Sequence, residues 1–81
     1  MLAKVTIMPK EGVLDPQGQV VERSLHALGH PGVTDVRVGK VIEFSIEAPS
    51  STEAENQIRQ MCERLLANPV IEDYRLEILD S

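Results

Sequence analysis

The 81-residue chain has no tryptophan, one tyrosine (Tyr74), one phenylalanine (Phe44) and one cysteine (Cys62). Without large rings, a core must be built from aliphatic side chains. A domain of this length buries only about 60% of the surface its unfolded chain exposes. The core is therefore expected to be thin, and association with other chains would help to stabilise it. A lone cysteine excludes an intramolecular disulfide and fits a reducing cytoplasm. No segment approaches the roughly 20 apolar residues that span a bilayer. The opening Met1-Leu2-Ala3-Lys4 is too short and too interrupted for a signal peptide. Positive charge is also scarce. Eight Lys and Arg stand against thirteen Asp and Glu, a formal net charge of −5. That balance argues against nucleic acid and against anionic membrane surfaces as partners. A single domain spanning residues 1–81 is expected.

What is present is clear periodicity. Ala3, Val5 and Ile7 alternate with Lys4, Thr6 and Met8, the period of a half-buried strand, which Pro9 stops. A loop from Lys10 to Leu14 leads to Asp15-Pro16. Aspartate can cap free helix amides, and proline at the first helical position has no N–H to satisfy. The helix that follows aligns Val21, Leu25 and Leu28 on one face, with Val20 and Ala27 beside them, and Gly29 and Pro31 end it. Val36 and Val38 then alternate with Asp35 and Arg37, which predicts a second strand. Gly39-Lys40 reads as a tight hairpin turn. Ile42, Phe44 and Ile46 alternate with Glu43, Ser45 and Glu47 as a third strand. Pro49-Ser50-Ser51-Thr52 opens a second helix, with Ser50 and Glu53, or Thr52 and Glu55, as the reciprocal cap. Its apolar stripe is Ala54, Ile58, Met61, Cys62 and Leu65, and Asn68-Pro69 closes it. Tyr74, Leu76 and Ile78 predict a last strand.

The order is β-α-β-β-α-β, and the halves resemble each other. Leu28, Pro31, Val33, Asp35, Val36, Arg37 and Val38 align at a constant offset with Leu66, Pro69, Ile71, Asp73, Tyr74, Arg75 and Leu76. Two βαβ units with right-handed crossovers give an α+β, ferredoxin-like fold: a four-stranded antiparallel sheet with both helices on one face. The uncovered face would carry Lys4, Thr6, Met8, Glu43, Ser45 and Glu47, with Arg37 and Arg75 flanking. Exposed edge strands favour self-association.

Chemistry is hard to find. The loop from Pro9 to Asp15 lacks the paired cysteines of a soft-metal carrier and the arginine of an acylphosphatase. The sheet face lacks the aromatics of an RNA-binding domain. Glu22, His26 and His30 share one stripe of the first helix, a spacing that can bind zinc. A zinc site needs a third protein ligand, so a solvated helix face is the stronger reading. Cys62 lies in the apolar stripe of the second helix and reads as core, because a reactive thiol needs an exposed electropositive setting. No catalytic, cofactor-binding or metal-ligating set is assigned. One segment stands out: Gly12-Val13-Leu14-Asp15-Pro16-Gln17-Gly18. Gly18 falls in the first helical turn, where glycine costs about 1 kcal/mol relative to alanine. Either a hydrophobic staple with a tolerated glycine or a docking surface that needs close backbone approach accounts for it.

That segment, followed by Val36-Arg37-Val38-Gly39-Lys40, resembles the PurS family, the small subunit of phosphoribosylformylglycinamidine synthase, and the resemblance covers essentially the whole chain. It implies a role in purine biosynthesis as one of three kinds of chain. A glutaminase subunit releases ammonia. A synthetase subunit, expected to hold ATP and Mg, activates formylglycinamide ribonucleotide for attack by it. The small subunit is expected to bridge the two and help ammonia pass, with no catalytic group of its own, and to be a homodimer or higher oligomer. Carried onto this sequence, Gly12, Val13, Leu14, Gln17, Gly18, Arg37, Gly39 and Lys40 become candidates for partner contact, with Asp15 and Pro16 as the helix start. An alternative with the same element order is a sensing module of the amino-acid-binding kind; a stand-alone phosphatase ranks last.

Overall fold

The chain is described here by a computed structural model that covers residues 1–79; the last two residues of the expected domain lie outside the described residues. Strand β1 (Leu2–Pro9) is followed by helix α1 (Pro16–Ala27), strand β2 (Lys40–Ser45), helix α2 (Ser51–Met61) and strand β3 (Glu72–Ile78). β1 is the central strand and pairs antiparallel with both neighbours, in the order β2-β1-β3. Val5 lies opposite Ile42 on one side and Leu76 on the other. The strict alternation in β1 has its expected consequence: Ala3, Val5 and Ile7 are completely buried. They meet Ala54, Ile58 and Cys62 from the α2 region, with Ile46 and Ala67 closing the cluster. Phe44, Tyr74, Leu76 and Ile78 pack around it, half-buried. The core is aliphatic and small, as the shortage of rings requires.

α2 starts where the sequence places it. The Ser50 hydroxyl accepts the Glu53 amide at 3.2 Å, so of the two possible caps this one forms. The helix then widens into a π-helical turn at Cys62–Leu66, closed by Ala67 N–H donating to the Cys62 carbonyl at 3.0 Å. One extra residue per turn shifts the facing of everything after it. Leu65, expected in the buried stripe, is 82% exposed, and Leu66 turns inward to pack against the core. Asn68 then organises the bend into β3. Its side-chain oxygen accepts Val70 N–H, and its carbonyl accepts the amides of Ile71 and Glu72.

The expected four-stranded, ferredoxin-like sheet is not what forms: among the described residues the sheet has three strands, in the order β2-β1-β3. Residues 33–39 belong to no sheet among the described residues. Two of the amides that a ladder would use go instead to side chains of α1 and of the residue that precedes it. Val38 N–H donates to Asp15 Oδ2 at 2.8 Å, and Val36 N–H to Glu22 Oε1 at 3.3 Å. Asp35 takes a left-handed φ of 57°, which breaks a regular strand. Gly39-Lys40 is not a hairpin turn either. Lys40 opens β2 opposite Ile7, and Gly39 passes so close to β1 that a Cβ would meet the Ile7 carbonyl and Met8 Sδ. Nor do both helices cover the sheet. α2 packs on it, whereas α1 has no extended packing against any strand. Its apolar stripe is left open, with Val20 at 54%, Val21 at 40% and Leu28 at 75% exposure. The molecule is accordingly long, 51 × 25 × 14 Å, with α1 and residues 33–39 forming an arm beyond the sheet.

Candidate docking site

The arm is held by one face of α1. Gly18, Glu22 and His26 recur at the four-residue step that stacks side chains along a helix, and Asp15 precedes them by almost one turn. Asp15 is the residue before the first helical turn, with Pro16 following as expected, but its carboxylate makes no cap bond to its own helix. It reaches Val38 instead. Glu22 holds Val36, and the Val33 carbonyl lies 2.6 Å from His26 Nε2, which must present its N–H there because a carbonyl only accepts. Gly18 is buried between these anchors. A Cβ on it would meet the Val36 carbonyl, which explains a glycine in a helical turn that otherwise disfavours one. The helix ends with Gly29 at φ 97°, the Gly29 amide on His26 and the His30 amide on Leu25, so the chain reverses into residues 33–38 and returns along α1.

Between the 10–15 loop, α1 and residues 35–37 lies an open cleft of about 670 Å³. Gly12, Val13, Leu14 and Arg37 line it together, so the fold gathers these candidates from distant parts of the sequence. Gly12 supplies a positive φ of 80° to the loop, and Leu14 is exposed. Arg37 Nη1 donates to the Pro9 carbonyl at 3.1 Å, and Lys10 Nζ stands 3.7 Å from Asp73. Glu11, Asp15, Glu22 and Asp35 also line the cleft, which is therefore acidic on balance. Gln17 is not part of it. With Pro16, Val20, Val21 and Val38 it lines a shallow apolar groove. Gly39 and Lys40 sit at the junction of the arm and β2, outside both hollows.

The zinc reading finds no support in geometry: among the described residues no group of three His, Cys, Asp or Glu side chains could hold a metal ion. His26 is engaged with Val33. Cys62 is buried, and burial first, then the nearby Glu63 carboxylate, pushes its thiol pKa up. Such a sulfur stays protonated and inert at neutral pH. Burial, followed by Glu63, raises Tyr74 in the same direction. Sequence reasoning missed that Asp15, Glu22 and His26 serve as backbone partners of residues 33–38. The helical spacing of Glu22 and His26 was visible, but the strand-like segment they serve lies too far along the chain to be matched to them by pattern. What the arrangement offers is a shaped cleft and an apolar groove, joined by the hydrogen bonds that seat residues 33–38 on α1.

Comparison with known proteins agrees along the full length. The family described as "PurS: Phosphoribosylformylglycinamidine (FGAM) synthase" matches residues 2–80. The phosphoribosylformylglycinamidine synthase subunit PurS of Bacillus subtilis is 49% identical over 75 residues, covering 93% of this chain and 88% of that one. A crystal form of B. subtilis PurS superposes with a TM-score of 0.87 at 47% identity, covering 98% of both chains. A chain in the structure of PurLQS from Thermotoga maritima gives 0.80 at 34% identity, covering 98% of this chain and 99% of that one. The sensing-module alternative is not favoured by these likenesses. This chain belongs to the PurS family of phosphoribosylformylglycinamidine synthase.

Proposed function

We propose that the chain is the small subunit of a multi-chain phosphoribosylformylglycinamidine synthase of purine biosynthesis, a C–N ligase. In this reading it aligns a glutaminase subunit with a synthetase subunit and carries out no bond chemistry itself. The observation that supports this most directly is full-length likeness to a chain of the PurLQS structure, with no insertion that could house a separate active site. The need for such a part is physical. Ammonia in neutral water is mostly protonated and has no lone pair with which to attack, so its transfer between active sites must be sheltered from solvent. An adaptor meets that need by shape alone.

The cleft lined by Gly12, Val13, Leu14 and Arg37 is the surface offered to the larger subunits. ATP and Mg belong to the synthetase partner, where phosphoryl chemistry activates the amide oxygen. The unpacked arm favours a homodimer or higher oligomer as the working form. A cytoplasmic setting suits a free buried thiol and a biosynthetic role.

Reconstitution with the glutaminase and synthetase of the same cell tests this. Glutamine-dependent product formation should require the chain, whereas synthesis from added ammonia should need it much less. An unchanged glutamine-driven rate in its absence would remove the assignment.

A further inference from the structure

We propose that Met8 is a redox-sensitive fastening of the arm, released when hydrogen peroxide oxidises its thioether to the sulfoxide. Its sulfur sits where the arm leaves the sheet.

The ladder between β1 and β2 ends beside this residue. Met1 and Ile46 exchange both backbone bonds, the Met1 amine donating at 2.9 Å and the Ile46 amide at 2.8 Å. In an antiparallel pair such exchanges recur at every second residue. Along the register they fall on Ala3 with Phe44, Val5 with Ile42 and Ile7 with Lys40. Ile7 and Lys40 are therefore the last rung, and Gly39 lies just beyond it, beside Met8. From there the chain turns away to Val38, whose amide is held by Asp15.

Met8 closes the end of that ladder. Its Sδ occupies the space a Cβ on Gly39 would need, and the Ile7 carbonyl borders the same space. A thioether is apolar, flexible and polarisable, so it fills such a gap against bare backbone. Gly39 has no side chain to replace the cover once the sulfur withdraws. The contact also lies on the sheet face away from α2. Ala3, Val5 and Ile7 turn toward α2 and are completely buried, so alternation puts Met8 with Lys4 and Thr6 on the opposite face. Met8 is half-buried there and packs against Gly39, whereas Met1 and Met61 pack against the core cluster. Cys62, the other sulfur, is completely buried.

Peroxide is the only co-reactant the step needs. A lone pair on Sδ attacks one peroxide oxygen, the O–O bond breaks, and a sulfur–oxygen bond forms. Sulfur gives up two electrons to the peroxide. The transferred oxygen sheds its proton to the departing hydroxide, which leaves as water. The product is polar where the thioether was apolar. Facing Gly39, the new oxygen crowds the Ile7 carbonyl, and two acceptors with no proton between them repel. Facing water, it draws the side chain off Gly39. Either way the last rung loses its cover, and reduction of the sulfoxide to the thioether restores it.

Peroxide titration of the full chain, followed by peptide mass spectrometry and amide exchange, tests this. Met8 should gain its oxygen before Met61 does. In the chain oxidised at Met8, the Lys40 and Val38 amides should exchange about fivefold faster, a loss of about 1 kcal/mol. Ile42 and Phe44, deeper in the same ladder, should keep their protection. Dithiothreitol with reductases for both sulfoxide epimers should restore the original rates. Met8→Leu keeps an apolar cover and has no sulfur, so it should exchange like the untreated wild type with or without peroxide. Oxidation of Met61 ahead of Met8 overturns the proposal. So do unchanged rates at Lys40 and Val38 once Met8 is fully oxidised, or rates that stay fast after mass spectrometry shows the thioether restored. An M8L chain that responds to peroxide as the wild type does overturns it as well. None of these readouts involves the partner subunits, so each stands apart from the adaptor reading.

Discussion

The carboxylate of Asp15 accepts the Val38 amide at 2.8 Å, linking the start of α1 to a segment 23 residues downstream. A residue type that commonly caps its own helix here holds a distant piece of backbone, and α1 begins on Pro16, which has no amide to cap. The geometry of the arm depends on this bond and on the glycine one turn away.

Removing that bond should loosen the arm and spare the sheet. Asp15→Ala leaves the partly buried Val38 amide without its charged acceptor, a loss of about 1–3 kcal/mol. Amide exchange at Val36 and Val38 should rise well above wild type. The amides of β1, which pair within the sheet, should keep their protection.

Gly18→Val should be more damaging to assembly than to the folded body. The new side chain must displace the Val36 carbonyl or the Asp15 carboxylate, so residues 33–38 lose their seat on α1. The core formed by β1 and α2 contains neither element. Glutamine-dependent activity in the reconstituted complex should fall severalfold or more, while the thermal midpoint drops by only a few degrees. A large midpoint loss with normal assembly would return Gly18 to a purely structural role.

Ile58→Ala should have the opposite signature. Ile58 is completely buried at the centre of the small core, and truncating such a side chain costs about 2–5 kcal/mol. In a domain of this size that is a large share of the total stability. Denaturant titration should show a clear fall in midpoint, and the variant should gain stability on assembly with its partners.

Cys62 gives a pH prediction with a definite sign. Its pKa is raised in the folded chain by burial, then by Glu63, so above the ordinary thiol pKa of about 8.5 the unfolded chain has lost a proton that the folded chain keeps. Stability contributed by this group is therefore intact at neutral pH and falls as pH rises past that value. The urea midpoint should decline between about pH 8 and 10 in the wild type, and less steeply in Cys62→Ala. At neutral pH a thiol reagent should react only as fast as the chain opens.

Local pattern carried most of the element boundaries. β1, β3 and the start of α2 were readable because their alternation or capping is decided by neighbours in sequence, and Ser50 with Glu53 shows this directly. Residues 35–38 were read as a sheet strand because valine alternation reports extended backbone and not what pairs with it. The internal repeat strengthened that error. Asp73, Tyr74 and Arg75 lie in β3, while the matching Asp35, Val36 and Arg37 lie along a helix. The stripe of α1 was legible as apolar, but periodicity does not say whether the covering surface belongs to the same chain. The sequence motif brought Gly12, Val13, Leu14 and Arg37 forward together, and the fold gathers them at one cleft. Glu22 and His26 were considered only as metal ligands or solvated residues, because a side chain bound to remote backbone leaves no local signature.

The widened turn after α2 also bears on how this chain can change in length. A helix carrying one residue more than its regular pitch can surrender that residue and tighten, without displacing the cap at Ser50 or the bend at Asn68. Loss of a single codon between Glu63 and Leu65 would then leave Leu66 facing the core, now in a turn of regular pitch. The protein holds a spare position where an insertion or deletion is absorbed by rewinding rather than by breaking a strand.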